Sequence, residues 1–151
     1  MIVSDSTTLI ILFDLHKIEF LSNLFEKVYI PATVYDEINV KHTLKLPSFM
    51  EVLKVKESQD LLLLKKLLDD GESEAIVLAK EMDLGLIIDE KKGRKIAVNY
   101  GLKIIGLLGI IYLNIKKDFI NQDEARLFLD DAISHGYRIN KTLITEMFKS
   151  L

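Results

Sequence analysis

Residues 84–106 read LGLIIDEKKGRKIAVNYGLKIIG. The short apolar run Leu86-Ile87-Ile88 has the length of a strand and delivers a carboxylate, Asp89, at its end. Four basic residues follow at once: Lys91, Lys92, Arg94 and Lys95. From Gly93 to Tyr100 the pattern is helical, Gly101 ends it, and Lys103-Ile104-Ile105 is a second apolar strand placed as the last central one. Two short strands joined through a helix predict a parallel crossover, because antiparallel neighbours are joined by a tight turn. Asp89 then has two readings. It closes the strand and opens a solvated helix, or it belongs to an acidic site whose basic neighbours meet an anionic substrate.

The same alternation extends in both directions. Ile2-Val3 is a brief strand leading into Asp5, and Ser6, Thr7 or Thr8 caps the helix through Leu9, Ile10, Leu12 and Phe13. A short helix covers IEFLSNLF. Val28-Tyr29-Ile30-Pro31 reads as a buried strand stopped by proline, with Thr33 capping a helix that carries Val34, Glu37 and Ile38. Met50 to Val55 reads as an edge strand. Leu61 to Leu68 is helical, Gly71 breaks it, and a new helix runs from Glu72 to Met82. A helix from Leu107 and two more, at 122–135 and 140–150 with Gly136 between them, close the chain. The expected architecture is a single α/β domain over residues 1–151, a three-layer α/β/α sandwich on a central, mainly parallel sheet.

Composition narrows the function. The chain has 151 residues, 49% hydrophobic and 28% charged, enough for one core and unlike a disordered tail. It has no cysteine, hence no zinc–thiolate site, disulfide framework or cysteine nucleophile, which is compatible with a cytoplasmic setting. The three histidines, His16, His42 and His135, lack metal-ligand spacing. The opening residues carry Asp5 and Asp14 without a basic segment before the apolar run, unlike a signal peptide, and no apolar run is long enough for a membrane span. A net charge of −3 gives no global basic footprint, so an anionic ligand must be held locally.

Ligands of an open parallel sheet bind beyond the carboxyl ends of its strands. Asp5 and Asp89 end two strands and so share a rim. Glu37 lies one turn into the helix after the second strand, and Glu74 opens the helix in GESEAIVLAKE. Taken singly, each acid also reads as a turn, cap or solvated helix residue. Taken together, clustered carboxylates repel one another unless a cation neutralises them, and oxygen-only ligands suit Mg²⁺ or Mn²⁺. Metal-assisted phosphodiester hydrolysis is the chemistry this suggests. Alternatives lack their residues: GLLG at 106–109 is too short a glycine pattern for a dinucleotide, and DSTT places Ser6-Thr7 where a haloacid-dehalogenase phosphatase needs a second aspartate.

These stretches resemble the PIN-domain nucleases, which include the VapC-type toxin ribonucleases, and most of all a compact prokaryotic PIN-like branch. The opening IVSDSTTLIILFDLHKIEFLSNLFEKVYIPATVYDEI, then LLDDGESEAIVLAKE, LGLIIDEKKGRKIAVNYGLKIIGLLGIIYL and the tail LDDAISHGYRINKTLITEMFKSL all fit, nearly the whole chain. The resemblance implies a PIN-like fold, catalytic and metal-binding acids at Asp5, Glu37, Glu74 and Asp89, and cleavage of RNA, or less often single-stranded DNA, with Mg²⁺ or Mn²⁺. Lys91, Lys92 and Arg94 are the expected phosphate contacts. It also implies a small antitoxin-like protein partner and a homodimer; Leu127, Phe128, Ile133, Ile144, Met147 and Phe148 read equally as cover for the core or as interface positions. A catalytically inactive PIN-like binding module is the alternative. The sequence departs from many VapC-type proteins at Ile87, where they place Thr or Ser two residues before the late acid, and at Leu107, where a small polar residue often follows the glycine.

Overall fold

A computed structural model describes residues 1–41 and 45–151. His42 lies outside the described residues. The elements run β1 (Ile2–Ser4), α1 (Ser6–Asp14), α2 (Glu19–Ser22), β2 (Val28–Pro31), α3 (Ala32–Lys41), β3 (Met50–Leu53), α4 (Gln59–Lys65), α5 (Asp70–Met82), β4 (Gly85–Ile87), α6 (Lys91–Asn99), β5 (Ile104–Ile105), α7 (Leu107–Lys116), α8 (Gln122–Ser134) and α9 (Lys141–Lys149).

The five strands form one sheet in the order β3-β2-β1-β4-β5, every neighbouring pair parallel. Side chains alternate across it. Ile2, Val28, Ile30 and Ile87 face one apolar cluster, which α1, α7, α8 and α9 complete with Leu9, Leu12, Ile110, Ile111, Phe128 and Met147. Val3, Leu86 and Ile88 face the other, completed by Leu61 and Leu64 of α4, by Ala75 to Ala79 of α5 and by Ala97 of α6. A strand covered on both faces must be apolar throughout, which is why β1 reads Ile-Val before it meets a polar residue. The expected three-layer α/β/α sandwich is therefore present.

Chain order and spatial order part company at one place. From β1 the chain winds outward through β2 to β3, then returns to lay β4 on the other flank of β1 and continues to β5. The crevice between β1 and β4 is the switch point where open parallel sheets bind ligands. Register fixes what stands there. Ser4 pairs with Ile87, and the Asp5 backbone N donates to the Ile87 carbonyl at 2.9 Å, so Asp5 and Asp89 leave the sheet side by side.

Four local expectations change. The second strand passes straight from Pro31 into a helix beginning at Ala32, so Thr33 lies inside the first turn rather than capping it. Gly71 does not break a helix; Asp69 caps α5, its side chain accepting from Glu72 N at 2.8 Å, and Gly71 sits in the first turn. The strand at Ile104–Ile105 is an edge strand, not a central one. At α1 the N-cap is Asp5 itself, which leaves the hydroxyls of Ser6 and Thr8 for other partners. Gly101 and Gly136 adopt left-handed backbone, φ 82° and 93°, just past α6 and α8, as helix-ending glycines do.

The terminal helices close the larger cluster. Phe128 and Met147 are buried, Ile144 and Phe148 pack against the core, and Leu127 alone of the six candidate interface residues is strongly exposed, at 72%. These positions mainly cover the sheet. Asn114 of α7 is fully buried and joins the cover to α2: its amide donates to the carbonyls of Phe20 and Ile110, both at 2.9 Å, and its oxygen accepts from Asn23. Removing a buried partner leaves those groups desolvated without a bond. Asn114→Ala is expected to cost on the order of 2–4 kcal/mol in urea unfolding at neutral pH; a loss below ~1 kcal/mol by that measurement would show that the amide network contributes little.

Candidate functional site

At the β1/β4 switch point, each strand end passes into the N-terminus of a helix. Asp5 caps α1, Glu90 caps α6 and Asp69 caps α5, while Gly106 opens α7. Helix N-termini present unpaired N–H groups and favour negative charge, so acids collect here with some electrostatic support.

Asp5 is the most enclosed of them, 4% exposed, and its Oδ1 is buried with no hydrogen-bond partner. Burial pushes its carboxyl from 3.8 up to about 7; the Ser6 backbone N–H opposes this, and the charges of Asp69, Glu37 and Asp89 add to it. Asp89 is half-buried and held on two sides. Its Oδ2 accepts a hydrogen bond from the Thr8 hydroxyl, and its Oδ1 accepts from Leu107 N at 3.0 Å, in the first turn of α7. Glu37 belongs to an exposed residue of α3, but its carboxyl end turns in towards Ser6, whose hydroxyl donates to Oε2 at 2.8 Å. Burial of that end raises its pKa against the Ser6 bond, with Asp69, Asp70 and Glu74 adding to the rise.

Glu74 lies near Glu37 and is not among the charges that act on Asp5. It is buried, and burial raises its carboxyl, but Lys65 and the Thr33 hydroxyl act to lower it, while Asp70 and Glu57 add to the rise. The acid of this helix that senses Asp5 is Glu72. Two helical residues are about 200° apart around the axis, so Glu72 and Glu74 leave α5 on different sides: Glu72 towards Asp5, and Glu74 towards Thr33 and Lys65, where its charge acts on Glu37. Glu72 is 7% exposed, its Oε2 is buried without a partner, and its carboxyl is pushed up to about 8 by burial, by hydrogen bonding to Asp69 and by the charges of Asp69 and Asp5, with Glu90 contributing last. The structure therefore brings Asp5, Glu37 and Asp89 to one rim, adds Glu72 and Asp69 beside Asp5, and sets Glu74 beside Glu37, between Thr33 of α3 and Lys65 of α4. Helical arithmetic applied to GESEAI was the available signal for Glu72; for Ser6 and Thr8 it was their place beside a strand-end aspartate.

The basic residues divide in the same way. Lys91 and Lys92 are exposed at the start of α6. Arg94 is half-buried and bends back to the sheet, donating from Nη1 to the Ile88 carbonyl at 2.7 Å. Glu90 is held below its ordinary pKa chiefly by the Gly93 backbone N–H, at 2.7 Å, and also by that of Lys92.

The donor chemistry of this rim fits a hard divalent cation: every group is an oxygen, and two of those oxygens are buried without a hydrogen-bond donor. As placed, no three acidic or histidine side chains among the described residues converge closely enough to hold a metal ion together.

A parallel α/β/α sandwich with carboxylates gathered at its switch point defines the class, and one family model places the chain within it. It belongs to the PIN-domain family: a family model described as a PIN domain matches residues 1–151. Among solved structures it is similar to a PilT N-terminus domain protein from the hyperthermophilic archaeon Sulfolobus solfataricus P2, at 17% identity and a TM-score of 0.42, with 93% of this chain and 100% of that chain covered. No curated protein matches it. No described helix is long and apolar enough to cross a membrane.

A carboxyl whose pKa rises on folding binds its proton more tightly in the folded chain. The stability Asp5 contributes is thus fully present below pH 3.8 and is lost as pH rises through about 7. In chelator-treated protein, Asp5→Asn is expected to raise stability at pH 8 by on the order of 1–4 kcal/mol and to give no gain at pH 4. Thermal melts of both proteins at the two pH values check this; an equal shift at both would assign the effect to packing instead.

Proposed function

We propose that this PIN domain is a divalent-cation-dependent nuclease that hydrolyses phosphodiester bonds, an endoribonuclease of toxin type. The observation that carries the reading is the pair of buried carboxylate oxygens, Asp5 Oδ1 and Glu72 Oε2, left without donors at the switch point of the sheet. A buried acceptor with no donor is costly unless a proton or a cation meets it. The resemblance to toxin-type ribonucleases supports RNA over single-stranded DNA. It also supports a small antitoxin-like partner and a homodimer, for which Phe119, Leu127 and Leu143 in the C-terminal segment and Leu62, Leu63 and Leu67 around α4 are among the exposed apolar positions.

In this reading Asp5, Glu72, Asp89 and Glu37 hold Mg²⁺ or Mn²⁺, with Glu72 in the role that the sequence alone assigned to Glu74. The cation, when bound, makes water a better nucleophile near neutral pH and offsets charge on the phosphoryl oxygens. The chain's own residues supply the rest. Ser6 and Thr8 orient Glu37 and Asp89 through their hydroxyls. They supply the hydroxyl support that Ile87, buried in the core, and Leu107 do not; Leu107 instead contributes its backbone N–H. Glu37, whose residue is open to solvent and whose pKa is raised, is placed to take a proton from the attacking water. Lys91 and Lys92 meet the phosphate backbone beside the rim, and Arg94, anchored on Ile88, sets the approach of α6.

Cleavage of mixed RNA and single-stranded DNA in Mn²⁺, against a chelator control, tests the reading. Asp5→Asn and Glu72→Gln are expected to lower the rate by at least about 100-fold, as loss of a group acting on the reacting centre does. Glu74→Gln should retain most of the activity. Replacing Lys91 and Lys92 together by alanine should weaken single-strand binding and flatten its log–log salt dependence by about 1.4, two phosphate contacts at ~0.7 each. Cleavage by Asp5→Asn equal to wild type, in protein freed of contaminating nuclease, would leave a binding module as the better account.

A further inference from the structure

Three of the seven glycines share a property that neither turn geometry nor helix formation explains. Gly71 and Gly93 lie in the first turns of α5 and α6, and Gly106 caps α7. None has the left-handed backbone found at Gly101 and Gly136. Within a helix alanine is the better residue, so Gly71 and Gly93 carry a propensity cost without a conformational reason. The reason lies in what a methyl group would meet. At Gly71 it would collide with Oε1 of Glu37. At Gly93 it would stand 2.5 Å from Oε2 of Glu72 and 2.7 Å from Cδ1 of Ile88, and at Gly106 it would stand 2.5 Å from Oδ1 of Asp89 and 2.9 Å from Nη1 of Arg94. Each glycine faces a different carboxylate, and each of those carboxylates comes from another element or from the loop before it.

We infer that Gly71, Gly93 and Gly106 are positioning residues of the acidic site, each leaving room at a helix N-terminus for one of the carboxylates Glu37, Glu72 and Asp89. The inference rests on the reading of these acids as a cation centre. The missing methyl groups let the acids lie against bare backbone, where the field of the helix end favours their charge. The neighbour that must yield on substitution is mainly the end of a flexible side chain at Gly71 and Gly93. The fold therefore survives alanine there, and what moves is the carboxylate. Gly109 supplies the contrast. A methyl there would meet Cγ1 of Ile105 at 2.6 Å, an apolar collision as close as the others but away from the acids.

Titration of the metal-free full chain with Mn²⁺ alone, followed by calorimetry with thermal melts in parallel, tests this. Gly71→Ala and Gly93→Ala are expected to remain folded and to lose about 10- to 100-fold in Mn²⁺ affinity, the range for groups that orient metal ligands. Gly109→Ala should lower the melting temperature and leave affinity unchanged. Glu72→Asp draws that carboxylate back by one methylene, so Gly93→Ala combined with Glu72→Asp should bind Mn²⁺ no more weakly than Glu72→Asp alone. Should Gly93→Ala unfold, Gly71→Ala, whose methyl meets only the Glu37 carboxyl, carries the same test. Wild-type affinity in both glycine variants, or an equal loss in Gly109→Ala, overturns the inference while the cation reading stands. Failure of the wild-type chain to bind Mn²⁺ removes the cation reading, and this inference with it.

Discussion

Like-charged carboxylates crowded at the carboxyl ends of β1 and β4 are the constraint around which the structure is arranged. Asp5 and Glu72 are almost completely enclosed, and each is raised well above its ordinary pKa, first by burial and then by the other acids. A parallel sheet offers a partial remedy, because a helix begins just past the end of β1, of β4 and of β5, and α5 starts at the same edge. The N-termini of α1, α5, α6 and α7 all open onto this rim, and their N–H groups and first-turn hydroxyls supply donors. Ser6 serves Glu37, Thr8 and Leu107 serve Asp89, and the Glu72 backbone serves Asp69. The two oxygens that none of these donors reaches, on Asp5 and Glu72, mark where neutralisation by the fold stops.

Such a site opposes folding, so its geometry has to be imposed from outside. The two apolar clusters do this. On one face Leu9, Leu12, Ile110 and Ile111 fix α1 and α7, the helices that hold Asp89 from either side. On the other, Ala75 to Ala79 press α5 flat against Val3 and Leu86, which seats Glu72 beside Asp5. Small residues in that stretch matter because they let the helix approach the sheet closely, so the acids in its first turn lie within the rim instead of above it. The strain at the rim is local, and the apolar layers that offset it are remote from it, an arrangement common where chemistry requires unfavourable contacts.

The C-terminal helices work at the other end of the molecule. Phe128 meets Phe20 edge to face at a centroid distance of 5.2 Å, and Arg126 lies 3.8 Å over the Phe148 ring, tying α8 to α2 and to α9. Tyr137 donates to Asp14 at 2.6 Å and joins the segment between α8 and α9 to the end of α1. Their apolar side chains chiefly shield the larger cluster, which is why a stripe that looks surplus in a linear reading becomes cover once α8 and α9 join α1, α2, α3 and α7 over one face of a short sheet.

Sequence alone determined the layers and the rim. Apolar runs of three or four residues separated by helical periods predict parallel crossovers, and a strand-end acid in a parallel sheet must stand at the ligand-binding edge, so Asp5 and Asp89 were legible from local chemistry and one topological rule. The family resemblance drew Glu37 to the same place, and the structure turns its carboxyl there. What tertiary structure decided was direction. Glu72 and Glu74 both open α5 and both are buried, because that helix is covered on all sides near its start, and no local preference says which face meets Asp5. Packing of α5 against the sheet settles it, sending Glu72 to Asp5 and Glu74 to the side of Thr33, Lys65 and Glu37. The same holds for Arg94, which the sequence grouped with two exposed lysines and the fold turns back onto the Ile88 carbonyl. Identity and spacing are properties of the chain, whereas the side a residue faces is set by the elements packed around it, and those come from segments distant in sequence.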